Sequence, residues 1–454
     1  MPASIRRTCP KVGEPALTTN KHQTMKKLIH WMTGLALVMS FGHVSAQSPF
    51  VQSHDARLWR DGKPYYFIGT NFWYGAILGS EGRGGDRKRL CRELDHLKRL
   101  GIDNLRILVG SDGREGVKTK VEPTLQWAPG VYNDTILAGL DYLLMEMQRR
   151  NMVAVLYLNN SWEWSGGYSF YLEHAGMGKA PLPSEDGYQT FVNYVKHFAT
   201  NQKAHELFYD YVRFIIGRTN RYTGKRYVDD PAIMSWQIGN EPRAFSREAL
   251  PAFKAWLREA SALIRKLDGN HLISIGTEGF WGCEGDLESF EDISADPNID
   301  YVNVHVWPYN WGWVKKDSII DNVGRACQFS REYIEQGLAV AHKAGKPLVA
   351  EEFGYPRDGF SFSKSSSTHA RDSYYQFIFS MLEDHARSGS SFSGCNFWGW
   401  GGMGEPRSEQ WQPGDDFTGD PAQEPQGLYS VFASDKPTLK IIRNAISNMK
   451  KTHH

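Results

Sequence analysis

Two glutamates, each at the end of an apolar run, are the residues best suited to chemistry. One closes Trp236-Gln237-Ile238-Gly239-Asn240-Glu241-Pro242. The other lies in Pro347-Leu348-Val349-Ala350-Glu351-Glu352-Phe353-Gly354. Glu241 and Glu352 are 111 residues apart, so only a tertiary fold can bring them together. A pair of carboxylic acids delivered by two strand ends into one cleft can cleave a glycosidic bond: one protonates the departing oxygen and the other attacks or activates water. Two carboxylates suffice for this, so no metal and no other cofactor is implied. No Cys-x-x-Cys or His-x-x-x-His spacing points to zinc.

Delivering such a pair requires strand ends that converge. From about Tyr65 the chain alternates short β-rich apolar runs with amphipathic stretches. The runs 65–71, 104–109, 153–158, 233–238, 272–277, 301–305, 348–352 and 393–398 read as eight strands. Between them, 87–100, 136–150, 203–219, 247–267, 327–344 and 369–388 read as helices, with apolar residues at helical spacing such as Leu90, Leu94, Leu97 and Leu100. Strands alternating with helices imply a parallel sheet, and eight units in about 400 residues fit an α/β fold of the (β/α)8 TIM barrel type with long βα loops. A doubly wound open sheet is the alternative. It would carry a Gly-rich turn after its first strand, whereas this chain has the aromatic loop Thr70-Asn71-Phe72-Trp73-Tyr74-Gly75. A terminal helix near 439–450 would close the barrel. The loops 159–202 and 399–437 are long and belong to the strand C-terminal side, where barrels keep their chemistry.

Composition narrows the partner. The 454 residues carry 52 basic and 51 acidic side chains, a net charge of +1, which does not favour nucleic acid or an anionic membrane. Fifteen Trp and 21 Tyr suit a neutral polar polymer, because sugar C–H faces stack on flat rings. Met25-Lys26-Lys27, the apolar stretch 28–42 and Val44-Ser45-Ala46 before Gln47 read as a secretory signal over 25–46. Residues 1–24 then form an upstream extension and 47–454 the catalytic barrel. A secreted or periplasmic location follows, with no membrane span in the mature chain; a monomer is expected. Cys91, Cys283, Cys327 and Cys395 could form up to two disulfides.

These strings resemble glycoside hydrolase family 5 of the clan-A barrels, most closely its endo-β-1,4-mannanase subfamily, over about 50–448. Asn240-Glu241-Pro242 matches the family's acid/base motif and Glu352-Phe353-Gly354 its nucleophile motif. Fuller strings carry the subfamily: Gly69 to Tyr74, Asn159 to Gly167, Gly276 to Phe280, and Asp420 to Gly427. The resemblance implies a retaining endo-mannanase acting on mannan, glucomannan or galactomannan and on manno-oligosaccharides. Rivals are a β-1,4-glucanase of the same family, an exo-acting mannosidase, and a barrel that binds glycan without cleaving it. It further implies that Arg106 orients Glu352, that Asn240 holds the sugar 2-hydroxyl, and that His305 sits beside the pair. Trp398 would form a platform under the cleaved sugar. Trp73, Trp162, Trp164 and Trp281 are candidates for stacking, and Arg243 and Glu278 for contacts on the departing side. Relatives often have Tyr where this chain has Trp307. A Trp donates only from its ring nitrogen, so the contact to the nucleophile is expected to be altered or lost. Glu351 also ends the seventh strand, but successive strand side chains face opposite ways, so a structural role is expected for it.

Overall fold

A computed structural model of the chain describes residues 48–452. The upstream extension and the signal segment lie outside the described residues. Eight parallel strands form the central sheet: β1 (Phe67–Asn71), β2 (Asn104–Leu108), β3 (Val153–Tyr157), β4 (Ile233–Gln237), β5 (Leu272–Ser274), β6 (Val302–Val306), β7 (Leu348–Phe353) and β8 (Phe392–Phe397). Every residue of all eight is buried, as expected for strands covered on both faces, and that is why they read in sequence as nearly continuous apolar runs. The ladder order is β5-β4-β3-β2-β1-β8-β7-β6.

The seam between β5 and β6 is closed by other means. The Asp300 amide reaches the Ile273 carbonyl (2.9 Å) and the His305 amide the Glu278 carbonyl (3.2 Å). Between them the Asn303 side chain accepts from the Gly276 amide (3.0 Å) and donates to the Thr277 carbonyl (2.7 Å). A buried Asn thus replaces two rungs of the ladder.

Eight helices surround the sheet: α1 (Arg87–Leu100), α2 (Asp134–Arg149), α3 (Gln202–Ile216), α4 (Leu250–Leu267), α5 (Leu287–Ser294), α6 (Val323–Ala344), α7 (His369–Ser388) and α8 (Lys436–Thr452). Local chemistry sets their ends. The side chains of Asp86, Asn133 and Asn201 cap α1, α2 and α3. Gly101 ends α1 at φ 93°, a left-handed conformation that glycine adopts without penalty. The Leu90, Leu94, Leu97 and Leu100 stripe is buried as its spacing predicts.

The first strand expected from sequence, 65–71, starts at Phe67. Ahead of it a three-stranded antiparallel sheet (Gln52–His54, Arg57–Arg60, Lys63–Pro64) closes the end of the barrel where the strands begin. Its Leu58, with Val51 and Tyr65, packs on Phe67, Val153, Met234, Leu272 and Val349, residues at the starts of five strands. The opposite end is built up by loops. The loop after β3 carries short helices at Tyr168–Leu172, Pro183–Asp186 and Tyr188–Val195. The loop after β8 folds back, pairing Trp400–Gly402 with Val431–Phe432. Cys91, Cys283, Cys327 and Cys395 are free thiols, so none of the expected disulfides forms among the described residues.

Candidate active site

The arrangement begins with the backbone of Glu241. Beyond β4 backbone pairing runs four residues further, ending with the Asn240 amide on the Asn159 carbonyl and the Glu241 amide on the Gly276 carbonyl, both at 2.8 Å. The Ser161 hydroxyl donates to the Glu241 carbonyl. Glu241 is held between the loops after β3 and β5 at φ 49°, a strained conformation for a side chain of this size. Its neighbour Gly276 can only be glycine. Its φ is 85°, and a Cβ there would stand 1.8 Å from the Gly239 carbonyl oxygen.

Glu352 arrives from β7, and the strand has a bulge there. Val304 pairs with Ala350, but His305 pairs with Glu352, so Glu351 is the extra residue. The alternation expected from sequence therefore fails locally. Glu351 also points into the barrel, one layer beneath Glu352, where it accepts from Tyr301 Oη (2.8 Å) and Gln237 Nε2 (2.5 Å). Its expected structural role stands, for a different reason.

Arg106 ties the pair to the barrel floor. Its guanidinium donates to Glu352 Oε1, to Asn71 Oδ1 (3.0 Å), to Asn240 Oδ1 (2.9 Å) and to Gln237 Oε1 (2.8 Å), and lies over the Tyr157 ring at 4.5 Å. Trp307 Nε1 donates to Glu352 Oε2 (3.1 Å). The contact expected to be altered or lost with Trp in place of Tyr is altered and kept: the indole nitrogen makes it. His305 Nδ1 lies 2.9 Å from Glu241 Oε1 and 3.4 Å from Glu352 Oε2. Trp162 Nε1 donates to Glu241 Oε2 (2.6 Å).

Burial raises the pKa of both carboxyls. Arg106 is the strongest opposing influence on Glu352, where it bonds directly; for Glu241 the strongest is the more distant Arg243. Two buried acids this close cannot both ionise freely, so they titrate as a pair. The guanidinium contact puts the first negative charge on Glu352 and leaves the shared proton on Glu241. Burial and the Arg106 charge keep His305 neutral, so its proton belongs on Nδ1, between the carboxylates.

Glu241, His305 and Glu352 each offer an atom within 4.8 Å of the others, a spacing that could hold a metal ion. All four carboxylate oxygens, however, already receive an N–H: from His305, Trp162, Arg106 and Trp307. That donor shell suits two carboxyls working without a cation.

A cavity of about 440 Å³ opens over the pair. Trp307, Trp398, Asn240, Trp162 and Trp164 line it together with the two acids. Arg243 and Glu278 also line it, joined at 2.5 Å, with Arg243 5.6 Å from the Trp162 ring centre. Trp73 does not reach it. It is buried behind Trp164 and bonds the Gly419 carbonyl (3.1 Å). Trp281 stands half exposed, stacked on Phe280 and 6.3 Å from Trp311, which does line the cavity. Sequence reasoning passed over Trp311, Tyr188, Glu163, Gln423 and Glu424, all in the lining. The aromatic density of Trp307-Pro308-Tyr309-Asn310-Trp311-Gly312-Trp313 was a signal for the first of these.

A closed parallel barrel with two carboxyls converging at the C-terminal ends of its strands has the architecture that glycoside hydrolases use. The sequence profile described as GH family 5 beta-mannosidase-like matches residues 48–454, and the chain belongs to glycoside hydrolase family 5. It is 34% identical to the family 5 mannosidase of Rhizomucor miehei, with a TM-score of 0.81 over 89% of this chain and 98% of that one. It is 28% identical over 379 residues to a putative mannan endo-1,4-beta-mannosidase 9 of Oryza sativa subsp. japonica (81% of this chain, 85% of the other). Over 361 residues it is 28% identical to mannan endo-1,4-beta-mannosidase 7 of Arabidopsis thaliana (77% of each).

Proposed function

We propose that the protein is a retaining endo-β-1,4-mannanase acting on mannan, glucomannan or galactomannan. Glu352 attacks the anomeric carbon while Glu241 gives its proton to the departing oxygen. A covalent glycosyl–Glu352 ester results. Glu241, now a carboxylate, then takes a proton from water as the water displaces Glu352. Asn240 holds the 2-hydroxyl, and Trp398 lies under the reacting ring. The observation carrying this reading is that carboxylate oxygens of Glu241 and Glu352 come within 4.8 Å across one cavity. Retaining enzymes keep their carboxyls about 5–5.5 Å apart, whereas inverting ones leave about 6.5–9.5 Å for a water. The mannan-active names of the relatives support the choice of sugar.

An exo-acting mannosidase is a second reading, favoured by the higher identity to the R. miehei mannosidase (34%) than to that organism's endo-mannanase (24%). Digestion of mannohexaose followed by proton NMR and product sizing tests both. Newly formed ends should appear first as the β-anomer, with products of intermediate length; mannose alone would select the exo reading, and first-formed α-anomer would end the retaining mechanism. Glu352→Ala should lose at least about 10³-fold in kcat, and azide should restore turnover of an activated aryl mannoside as the α-glycosyl azide. The chain is read as exported. Among the described residues no helix is long and apolar enough to cross a membrane.

A further inference from the structure

Glu351 is a buried acid that the proposed reaction does not use. As the bulged residue of β7 it offers both its carboxylate and its own carbonyl to side chains of neighbouring strands. Its Oε2 accepts from Gln237 Nε2 (2.5 Å), and its carbonyl accepts from Asn71 Nδ2 (2.9 Å). The same two amides present their oxygens to Arg106: Gln237 Oε1 to Nε (2.8 Å) and Asn71 Oδ1 to Nη1 (3.0 Å). Glu351 thus stands behind two of the three amide oxygens that hold the guanidinium, the third being Asn240 Oδ1.

A side-chain amide can be turned either way, and its neighbours decide which. A guanidinium has donors alone, so each amide must show it an oxygen, and the amide nitrogen then needs an acceptor on the far side. Gln237 Nε2 also reaches Ser274 Oγ (3.0 Å), and Asn71 Nδ2 the Phe397 carbonyl (3.4 Å), but in both cases the shorter bond goes to Glu351. Asn71, Arg106, Gln237 and Glu351 are all fully buried, so bulk water does not stand in for a missing partner. A turned amide would set N–H against N–H where an unmade bond costs about 1–3 kcal/mol. Tyr301 Oη donates to the other oxygen of Glu351 (2.8 Å) and fixes the carboxylate in turn. On a strand without the bulge, Glu351 would face away from Glu352 and from Arg106.

We propose that Glu351 is a positioning residue: by turning the Gln237 and Asn71 amides it sets the plane of Arg106 and so aims the guanidinium at Glu352. The effect on turnover rests on the hydrolase reading above; the placement of Arg106 does not. Arg106 Nη1 meets Glu352 and Nη2 meets Asn240, so one rotation of the guanidinium displaces both the nucleophile and the residue assigned to the sugar 2-hydroxyl. A misplacement of about 1 Å can cost about 10²-fold in rate. The loss belongs in kcat rather than KM, because Glu351 itself lies one layer beneath the cavity and touches no substrate.

Mannohexaose hydrolysis by folded variants tests this. Glu351→Met, similar in length but without a carboxylate, should lower kcat about 10- to 100-fold and leave KM within about threefold. Glu351→Gln can still show an oxygen to Gln237 and an N–H to Tyr301 Oη, and should stay within about fivefold of wild type. Glu351→Asp keeps the charge but falls short of Gln237, and should lose about tenfold in kcat. Gln237→Met breaks the same relay, so adding it to Glu351→Met should cost less than about threefold more. Glu351→Met within twofold of wild type in kcat, or Glu351→Gln as slow as Glu351→Met, would overturn the proposal. Where Glu351→Met does not fold, the other two decide: Glu351→Gln faster than Glu351→Asp supports it, and the reverse order overturns it. Wild type inert on mannohexaose would instead end the functional reading. Nitrogen-15 NMR of the Arg106 Nε–H, assigned with Arg106→Lys, then decides the relay alone. Its exchange with solvent should be equally slow in wild type and Glu351→Gln and at least about tenfold faster in Glu351→Asp; equal rates in all three would sink the relay.

Discussion

At the residue scale the site is a problem in sharing a proton. Catalysis needs Glu352 ionised and Glu241 protonated, so activity falls at low pH as Glu352 takes up a proton and at high pH as Glu241 loses one. Each hydrogen bond to the ionised Glu352 lowers its pKa. Trp307→Phe removes one such donor and keeps the apolar ring. The Glu352 pKa then rises, so its ionised form is lost sooner as pH falls. The acidic limb of kcat/KM should move up by about one unit, since a bond to a charged group contributes about 1.5–3 kcal/mol and one unit is about 1.4 kcal/mol. An unmoved acidic limb would show that the indole is not a partner of the nucleophile. Glu241, Glu352 and Arg106 were legible because their types, positions at strand ends and short motifs coincide. Glu351 was legible in role but not in placement. A bulge depends on how two strands register, and Leu348 to Phe353 alone does not encode it.

At the element scale, strands buried on both faces were easy to read, and their predicted bounds fall within about three residues of the observed ones. The short α5 and the N-terminal sheet were not read. Eight residues with mixed polarity give a weak periodic signal, and strands of two to four residues give almost none. The β5–β6 seam is another feature that only tertiary structure reveals, because Asn303 looks like any polar residue inside a strand. Asn303→Ala would leave the Gly276 amide and the Thr277 carbonyl buried without partners. Urea unfolding should report a loss of about 2–5 kcal/mol. Because the Gly276 carbonyl holds the Glu241 amide, kcat should also fall in the protein that remains folded.

At the scale of the whole molecule the two ends of the barrel have separate duties, as is general for this fold. The chemistry lies at the strand C-termini. The N-terminal sheet packs against the opposite end, with Leu58 almost fully buried there. Leu58→Ala should therefore cost about 2–5 kcal/mol of stability, read from the urea midpoint, while kcat at 25 °C stays within twofold of wild type. A large change in kcat with an unmoved midpoint would contradict this division of labour.

Glu163, Glu241, Glu278, Glu352 and Glu424 all line the reaction cavity, and among the described residues the cations at it are Arg106 beneath and Arg243 in the lining. The hollow is therefore a poor host for anions and a good one for a ligand whose ring bears a positive charge, such as an iminosugar. Such a ligand mimics the electron-poor carbon of the reaction, and the Glu241–Glu352 pair offers it a full counter-charge once the shared proton has left. Its inhibition constant should tighten as pH rises through the range where the dyad gives up its shared proton, as long as the amine stays protonated. A neutral lactam of the same shape should show no such gain.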